Sequence, residues 1–265
     1  MQAIEANGAS FHVAVDGPPG GPALVFSNSL GTDLRIWDPV LPLLPAGLRV
    51  LRYDKRGHGL SDCPEGPWTI GTHVADLAAI MDACGIRGAA VCGLSVGGLI
   101  AQGLAAERPE LVGGLILCDT AAKIGTEAMW NDRIARVEAE GVAAIAEGIL
   151  ERWFTPAFRE GDPSFPLWRN MLVRTPAAGY AGTCRAIRDA DLTEATRGLG
   201  VPCLAICGSQ DGPTPPDLVR ATAELTPGGR FAEIPDCGHI PCVERPGAFA
   251  ALLAGFLSET GLARP

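Results

Sequence analysis

Short apolar runs alternate with helical patterns along most of the chain. Residues 11–15, 23–27, 48–53, 89–92, 115–118, 203–207 and 231–234 read as strands, and the later ones are apolar on both faces. A strand with two apolar faces belongs in a parallel sheet covered on each side by helices. Between these runs Ile70, Val74, Leu77, Ile80, Met81 and Cys84 recur at helical spacing, residues 99–106 read as a helix, and residues 248–257 form a closing helix after Pro246. The pattern predicts an α/β fold built on a mostly parallel sheet flanked by helices.

The alternation breaks between residues 121 and 196. No convincing strand appears there, and helix-like segments are separated by Thr155-Pro156, Asp162-Pro163 and Thr175-Pro176. The expected division is a core of residues 1–120 and 197–265, with a helical cap of residues 121–196 inserted after the strand that ends near Asp119. The cap holds three of the five tryptophans (Trp130, Trp153, Trp168) with Phe154, Phe158, Phe165 and Tyr180. An aromatic-rich cap over the C-terminal edge of a parallel sheet would wall a small-molecule pocket, although most of these rings are expected to form the insertion's own core.

Composition narrows the function. With 265 residues, 47% of them hydrophobic and 19% charged, the chain suits one large α/β domain carrying an insertion. Its 30 acidic against 21 basic residues give a net charge of -9, which argues against nucleic acid or an anionic membrane as partner. The N-terminal residues lack a basic start and an apolar run, and no stretch is long enough to cross a bilayer, so a cytoplasmic location is expected. Nine scattered cysteines read as reduced thiols, buried at Cys92, Cys118, Cys203 and Cys207. Cys237, His239 and Cys242 lack a CxxC pair to complete a zinc site, so no metal is expected.

Gly93-Leu94-Ser95-Val96-Gly97 carries the strongest chemical signal. It follows a short buried strand and opens a helix, the context in which GxSxG holds a serine hydroxyl clear of the backbone. Without that context the serine would merely cap a helix. A nucleophilic serine needs a base and a group that orients the base. Of four histidines, His12, His58 and His73 fall in structural settings, whereas His239 follows a late strand in a loop that can carry it over the sheet edge. Asp211, after the strand 203–207, is the preferred orienting acid. Asp119, at the end of the neighbouring strand, is its rival, and Asp236 more naturally shapes the turn. Backbone N–H donors for an oxyanion are expected from Val96 and from Leu30 in the loop Asn28-Ser29-Leu30-Gly31.

The whole chain resembles the α/β-hydrolase superfamily and, within it, is similar to the 3-oxoadipate enol-lactonases. Two segments, Leu51-Arg52-Tyr53-Asp54-Lys55-Arg56-Gly57-His58-Gly59 and the elbow from Cys92 to Gly98, are superfamily-wide. Three are narrower: the stretch from Ser27 to Leu34, the stretch Thr120-Ala121-Ala122-Lys123-Ile124-Gly125 with Met129-Trp130-Asn131-Asp132-Arg133-Ile134, and Arg152-Trp153-Phe154-Thr155. The resemblance implies a small anionic lactone as substrate and hydrolysis without metal or organic cofactor. Trp130 and Arg133, three residues apart on a helix, are expected to offer an indole N–H and a guanidinium to the substrate carboxylate. Other ester, lactone or carbon–carbon bond hydrolases and cofactor-free perhydrolases on the same triad would differ in cap lining, whereas a ligand-sensing receptor would keep the fold and pocket and differ in turnover. A dehalogenase would need a carboxylate at position 95.

Overall fold

Eight strands form one sheet in the computed structural model, which describes residues 1–263. They are β1 (Gln2–Ala6), β2 (Ala9–Asp16), β3 (Ala23–Ser27), β4 (Arg49–Tyr53), β5 (Ala89–Leu94), β6 (Val112–Cys118), β7 (Cys203–Gly208) and β8 (Arg230–Ile234), in the order β1-β2-β4-β3-β5-β6-β7-β8. β2 runs antiparallel to β1 and β4, and every other pairing is parallel. β5 and β7 are buried at every position, as two-faced apolar runs require, whereas β2 alternates at the start with Phe11 and Val13 inside.

All seven expected strands are present, and the α/β class is as read. β1 was not expected, because Gln2-Ala3-Ile4-Glu5-Ala6 has no apolar run and lies largely exposed. Its signal was the turn after it: Asn7 and Gly8 both take positive φ (46° and 73°), and Ala6 pairs with Ala9 across them. An Asn-Gly pair closes a two-residue hairpin because both residues tolerate that conformation.

The helices are α1 (Ile70–Ala83), α2 (Val96–Glu107), α3 (Glu127–Glu140), α4 (Ala146–Trp153), α5 (Pro156–Gly161), α6 (Phe165–Val173), α7 (Ala177–Arg188), α8 (Thr193–Arg197), α9 (Pro216–Leu225), α10 (Pro241–Glu244) and α11 (Pro246–Glu259). Thr126 caps α3, and Thr155 caps α5 just before Pro156, where a missing N–H does no harm. α2 packs on β5 and β6, and α9 on β7 and β8. Six helices, α3 to α8, fill the chain between β6 and β7 without a strand. They reach the strand ends: Thr175 Oγ1 donates to the carbonyl of Gly31 (3.4 Å), just past β3. No described helix is long and apolar enough to cross a membrane.

Because β3, β5, β6, β7 and β8 are parallel, their C-terminal ends share one edge. Asn28 to Gly31, Ser95, Asp119, Asp211 and His239 all leave the sheet at or just beyond that edge.

Candidate active site

Ser95 stands between β5 and α2 with φ 58° and ψ −119°, a strained backbone for a residue with a Cβ. The turn closes only because its neighbours are small: a Cβ on Gly93 would sit 2.2 Å from the Gly97 carbonyl oxygen, and one on Gly97 would sit 2.0 Å from that of Ser27. The Ser95 N–H donates to the carbonyl of Cys118 (3.0 Å), and Thr120 Oγ1 donates to the carbonyl of Ser95 (2.6 Å), which pins the turn from β6. Its side chain makes no capping hydrogen bond, so the hydroxyl is not engaged as a helix cap.

His239 lies in the loop after β8 and is 1% exposed. Its Nδ1 meets Asp211 Oδ1 at 2.9 Å, which leaves Nε2 for other work. Asp211 is fixed by Thr214, whose N–H donates to Oδ1 (3.0 Å) and whose Oγ1 donates to Oδ2 (2.6 Å). Burial pushes the Asp211 carboxyl up, but the charge and hydrogen bond of His239, with the donors of Thr214, outweigh it and hold the group below its ordinary value. Of the two acids weighed from the sequence, Asp211 is the one bonded to His239. Asp119 instead takes the N–H of Gly208 on Oδ1 (2.9 Å). Ligating atoms of Asp119, Asp211 and His239 lie within 4.8 Å of one another, but His239 Nδ1 and both Asp211 oxygens are already engaged by protein partners. Asp236 has φ 50° and shapes the turn.

The loop after β3 is held from below by β4 and the residues that follow it. Asn28 Nδ2 donates to the carbonyl of Tyr53 (2.8 Å), Lys55 Nζ to that of Ser29 (2.8 Å), and the Gly31 N–H to His58 Nε2 (3.0 Å). Burial keeps His58 well below the usual histidine range, so it is neutral; Nδ1–H donates to the Arg56 carbonyl and Nε2 is left as the acceptor. Lys55 and His58 thus clamp the loop, whereas the Arg56 guanidinium between them pairs with Asp76. Among the described residues no hydrogen bond engages the N–H of Leu30 or Val96.

Ser95, His239 and Leu30 line one narrow cavity of about 40 Å³ with Trp130, Arg133 and Arg152. That volume is room for no more than a few waters. His239 is the one histidine in the lining. A roomier concavity of about 640 Å³ lies elsewhere, between His12, Arg52 and Arg174, with neither Ser95 nor His239 in its walls.

Trp130 and Arg133 share a face of α3 as expected, but one expected role is corrected. The Trp130 indole N–H is engaged by the Ile124 carbonyl (2.7 Å), so it is not a donor for a ligand. Its ring carries the Arg133 guanidinium 5.0 Å above the centroid. The sequence reading assigned no role to Arg152. Its Nη2 donates to the Gly212 carbonyl (2.9 Å), and burial, then the charge of Arg133, push its pKa down. Glu244 was missed as well: Oε2 accepts from the Gly238 N–H (2.9 Å), and Oε1 accepts from the N–H (3.2 Å) and Oγ1 of Thr155. The signal for Arg152 and Thr155 was the Arg152-Trp153-Phe154-Thr155 stretch; Glu244 had none. Phe154 stacks on Phe158 and meets Phe165 edge-on, away from the cavity, whereas Trp130, Trp153 and Tyr180 reach it.

Residues 24–252 match the Alpha/beta hydrolase family. The chain is 37% identical to 3-oxoadipate enol-lactonase 1 of Acinetobacter baylyi, over 95% of this chain and 94% of that one. Among solved structures it is similar to the enol-lactonase from Burkholderia xenovorans LB400 (TM-score 0.94, 40% identity, 97% of this chain and 100% of that chain). It is also similar to a thermophilic esterase from Thermogutta terrifontis solved with malate bound (TM-score 0.92, 26% identity, 98% and 99% covered).

Proposed function

The chain belongs to the alpha/beta hydrolase family, and on that premise we propose that it hydrolyses 3-oxoadipate enol-lactone, a five-membered lactone bearing a carboxymethyl group, to 3-oxoadipate. Ser95 Oγ attacks the lactone carbonyl while His239 Nε2 takes its proton and Asp211 steadies the imidazolium. The N–H groups of Leu30 and Val96 hold the oxyanion. The bond to the ring oxygen then breaks; the leaving group is an enolate that takes up a proton and becomes a ketone, so it needs little acid help. Water activated by His239 releases the acyl group from Ser95. No step draws on a metal or an organic cofactor.

One observation carries the choice of substrate. The cavity beside Ser95 and His239 is lined by two guanidiniums, Arg133 and Arg152, and by no carboxylate among the described residues. Two like charges side by side are relieved by an incoming anion, and a protein of net charge -9 gains such a site only by local placement. Residues 121–196 then form the cap that walls the site, over a core of residues 1–120 and 197–265. The reading sets the protein in the cytoplasm, where its nine free thiols stay reduced, on a route of aromatic catabolism through protocatechuate or catechol.

The test is a side-by-side assay of the enol-lactone, a neutral lactone and an aryl ester by ultraviolet absorbance. The proposal expects many turnovers and the highest kcat/KM on the carboxylated lactone. Equal rates on all three would make the protein a broad esterase, and a single turnover per chain would make it a receptor.

A further inference from the structure

We propose that Asp119 is a proton-carrying acid whose Oδ2–H donates to the Asp211 carboxylate, making Asp119 a positioning residue for the acid that orients His239. The inference rests on the reading of Asp211 and His239 given above, but not on the identity of the substrate.

Asp119 leaves β6 in the left-handed region (φ 45°), fully buried, with Oδ1 taken by the Gly208 N–H. Oδ2 is buried with no hydrogen-bond partner among the described residues. Such an orphan is rare and points to an unrecognised donor or acceptor role. An Asp211 oxygen lies within 4.8 Å of an Asp119 oxygen. The titratable groups around Asp119 are Cys118 from β6, Cys207 from β7, Asp211 after β7, Cys237 and His239 after β8, and Cys242 on α10. Only His239 among them can carry positive charge, and its Nδ1 is engaged by Asp211. Two carboxylates packed together in a low dielectric do not both ionise. Asp211 keeps the charge, because it has His239 and two Thr214 donors; Asp119 keeps the proton. Burial, then the charge of Asp211, push the Asp119 carboxyl well above its ordinary range. A proton on Oδ2 both supplies the orphan oxygen with a role and turns repulsion into a hydrogen bond.

Asparagine has the same shape as a protonated aspartic acid and donates at the same place. Asp119→Asn therefore keeps the positioning function, whereas Asp119→Ala loses it. Linkage gives a second signature. The folded carboxyl titrates above the unfolded one, so its contribution is fully present below the unfolded value near pH ~3.9 and is lost as pH rises toward the folded value. Asparagine escapes that loss.

The experiment measures Tm from about pH 5 to pH 8 and the pH profile of kcat/KM for wild type, Asp119→Asn and Asp119→Ala. Expected are an advantage in Tm for Asp119→Asn that grows by about 4 °C or more across that range, kcat/KM within about threefold of wild type for Asn, and a loss of about tenfold or more for Ala. A Tm difference independent of pH, with Asn as damaging as Ala, would overturn the proposal and make Asp119 an ionised structural acid. If Asp119→Asn fails to fold, the wild-type infrared spectrum at pH ~8 decides: a protonated-carboxyl stretch that Asp119→Ala removes supports it, and no such band overturns it. The Tm and infrared readouts need no substrate, so failure to turn over the enol-lactone would defeat the proposed function and leave this inference standing.

Discussion

The backbone N–H of His239 donates to the carbonyl of Trp153 across 2.7 Å, which ties the loop carrying the imidazole to the end of α4. Glu244 repeats the tie by accepting from Gly238, next to the histidine, and from Thr155, next but one to the tryptophan. Removing that carboxylate leaves three donors without an acceptor. Glu244→Ala is expected to lower stability by about 3 kcal/mol in urea unfolding and to lower kcat, with Glu244→Gln recovering part of both. A variant as stable and active as wild type would show that the loop is set without it.

Asp211 and Asp119 differ in what each holds, so their amides should differ in effect. Asp211→Asn places a competing donor against His239 Nδ1 and is expected to lower kcat by about 10³-fold or more. The same substitution at Asp119 should leave most of the rate. The reverse order in steady-state kinetics would move the orienting acid to position 119.

Arg133 and Arg152 should govern recognition of charge. Losing one charge-assisted hydrogen bond, about 1.5 kcal/mol, raises KM for the carboxylated lactone by about tenfold in either Arg→Ala variant. A neutral ester should be hydrolysed much as before. An equal effect on both substrates would take these residues out of carboxylate recognition.

Lys55 provides a test by pH. Burial pushes its ammonium down to about 7, whereas an unfolded lysine titrates near ~10.4. Between those values the unfolded chain binds more protons, so stability rises with pH through the window, and the burden on the fold is greatest below it. Lys55→Met should gain on wild type at pH ~6 relative to pH ~9.5, read by urea unfolding. A difference that does not change with pH would mean that Lys55 titrates as an exposed lysine.

The fold was legible wherever burial writes itself into periodicity. β5 and β7, buried throughout, showed as unbroken apolar runs; β1, an exposed edge strand, showed only in its Asn-Gly turn. Ser95 was legible because a strained turn demands small neighbours at fixed spacing, and His239 because so few histidines follow a strand. The sequence favours Asp211 over Asp119 but leaves Asp119 as a rival, since both end neighbouring strands at the same edge; the 2.9 Å contact to His239 belongs to Asp211. The use of the Trp130 N–H by Ile124 and the anchoring by Glu244 depend on how a helix end and two loops meet in space, which no local pattern encodes.

The most direct measurement of the central claim is kcat of Ser95→Ala on the enol-lactone, with thermal unfolding recorded on the same sample. The account predicts wild-type unfolding and a rate lower by about 10⁴-fold or more. A correctly folded variant within about tenfold of wild type, well short of what loss of a nucleophile produces, would contradict it.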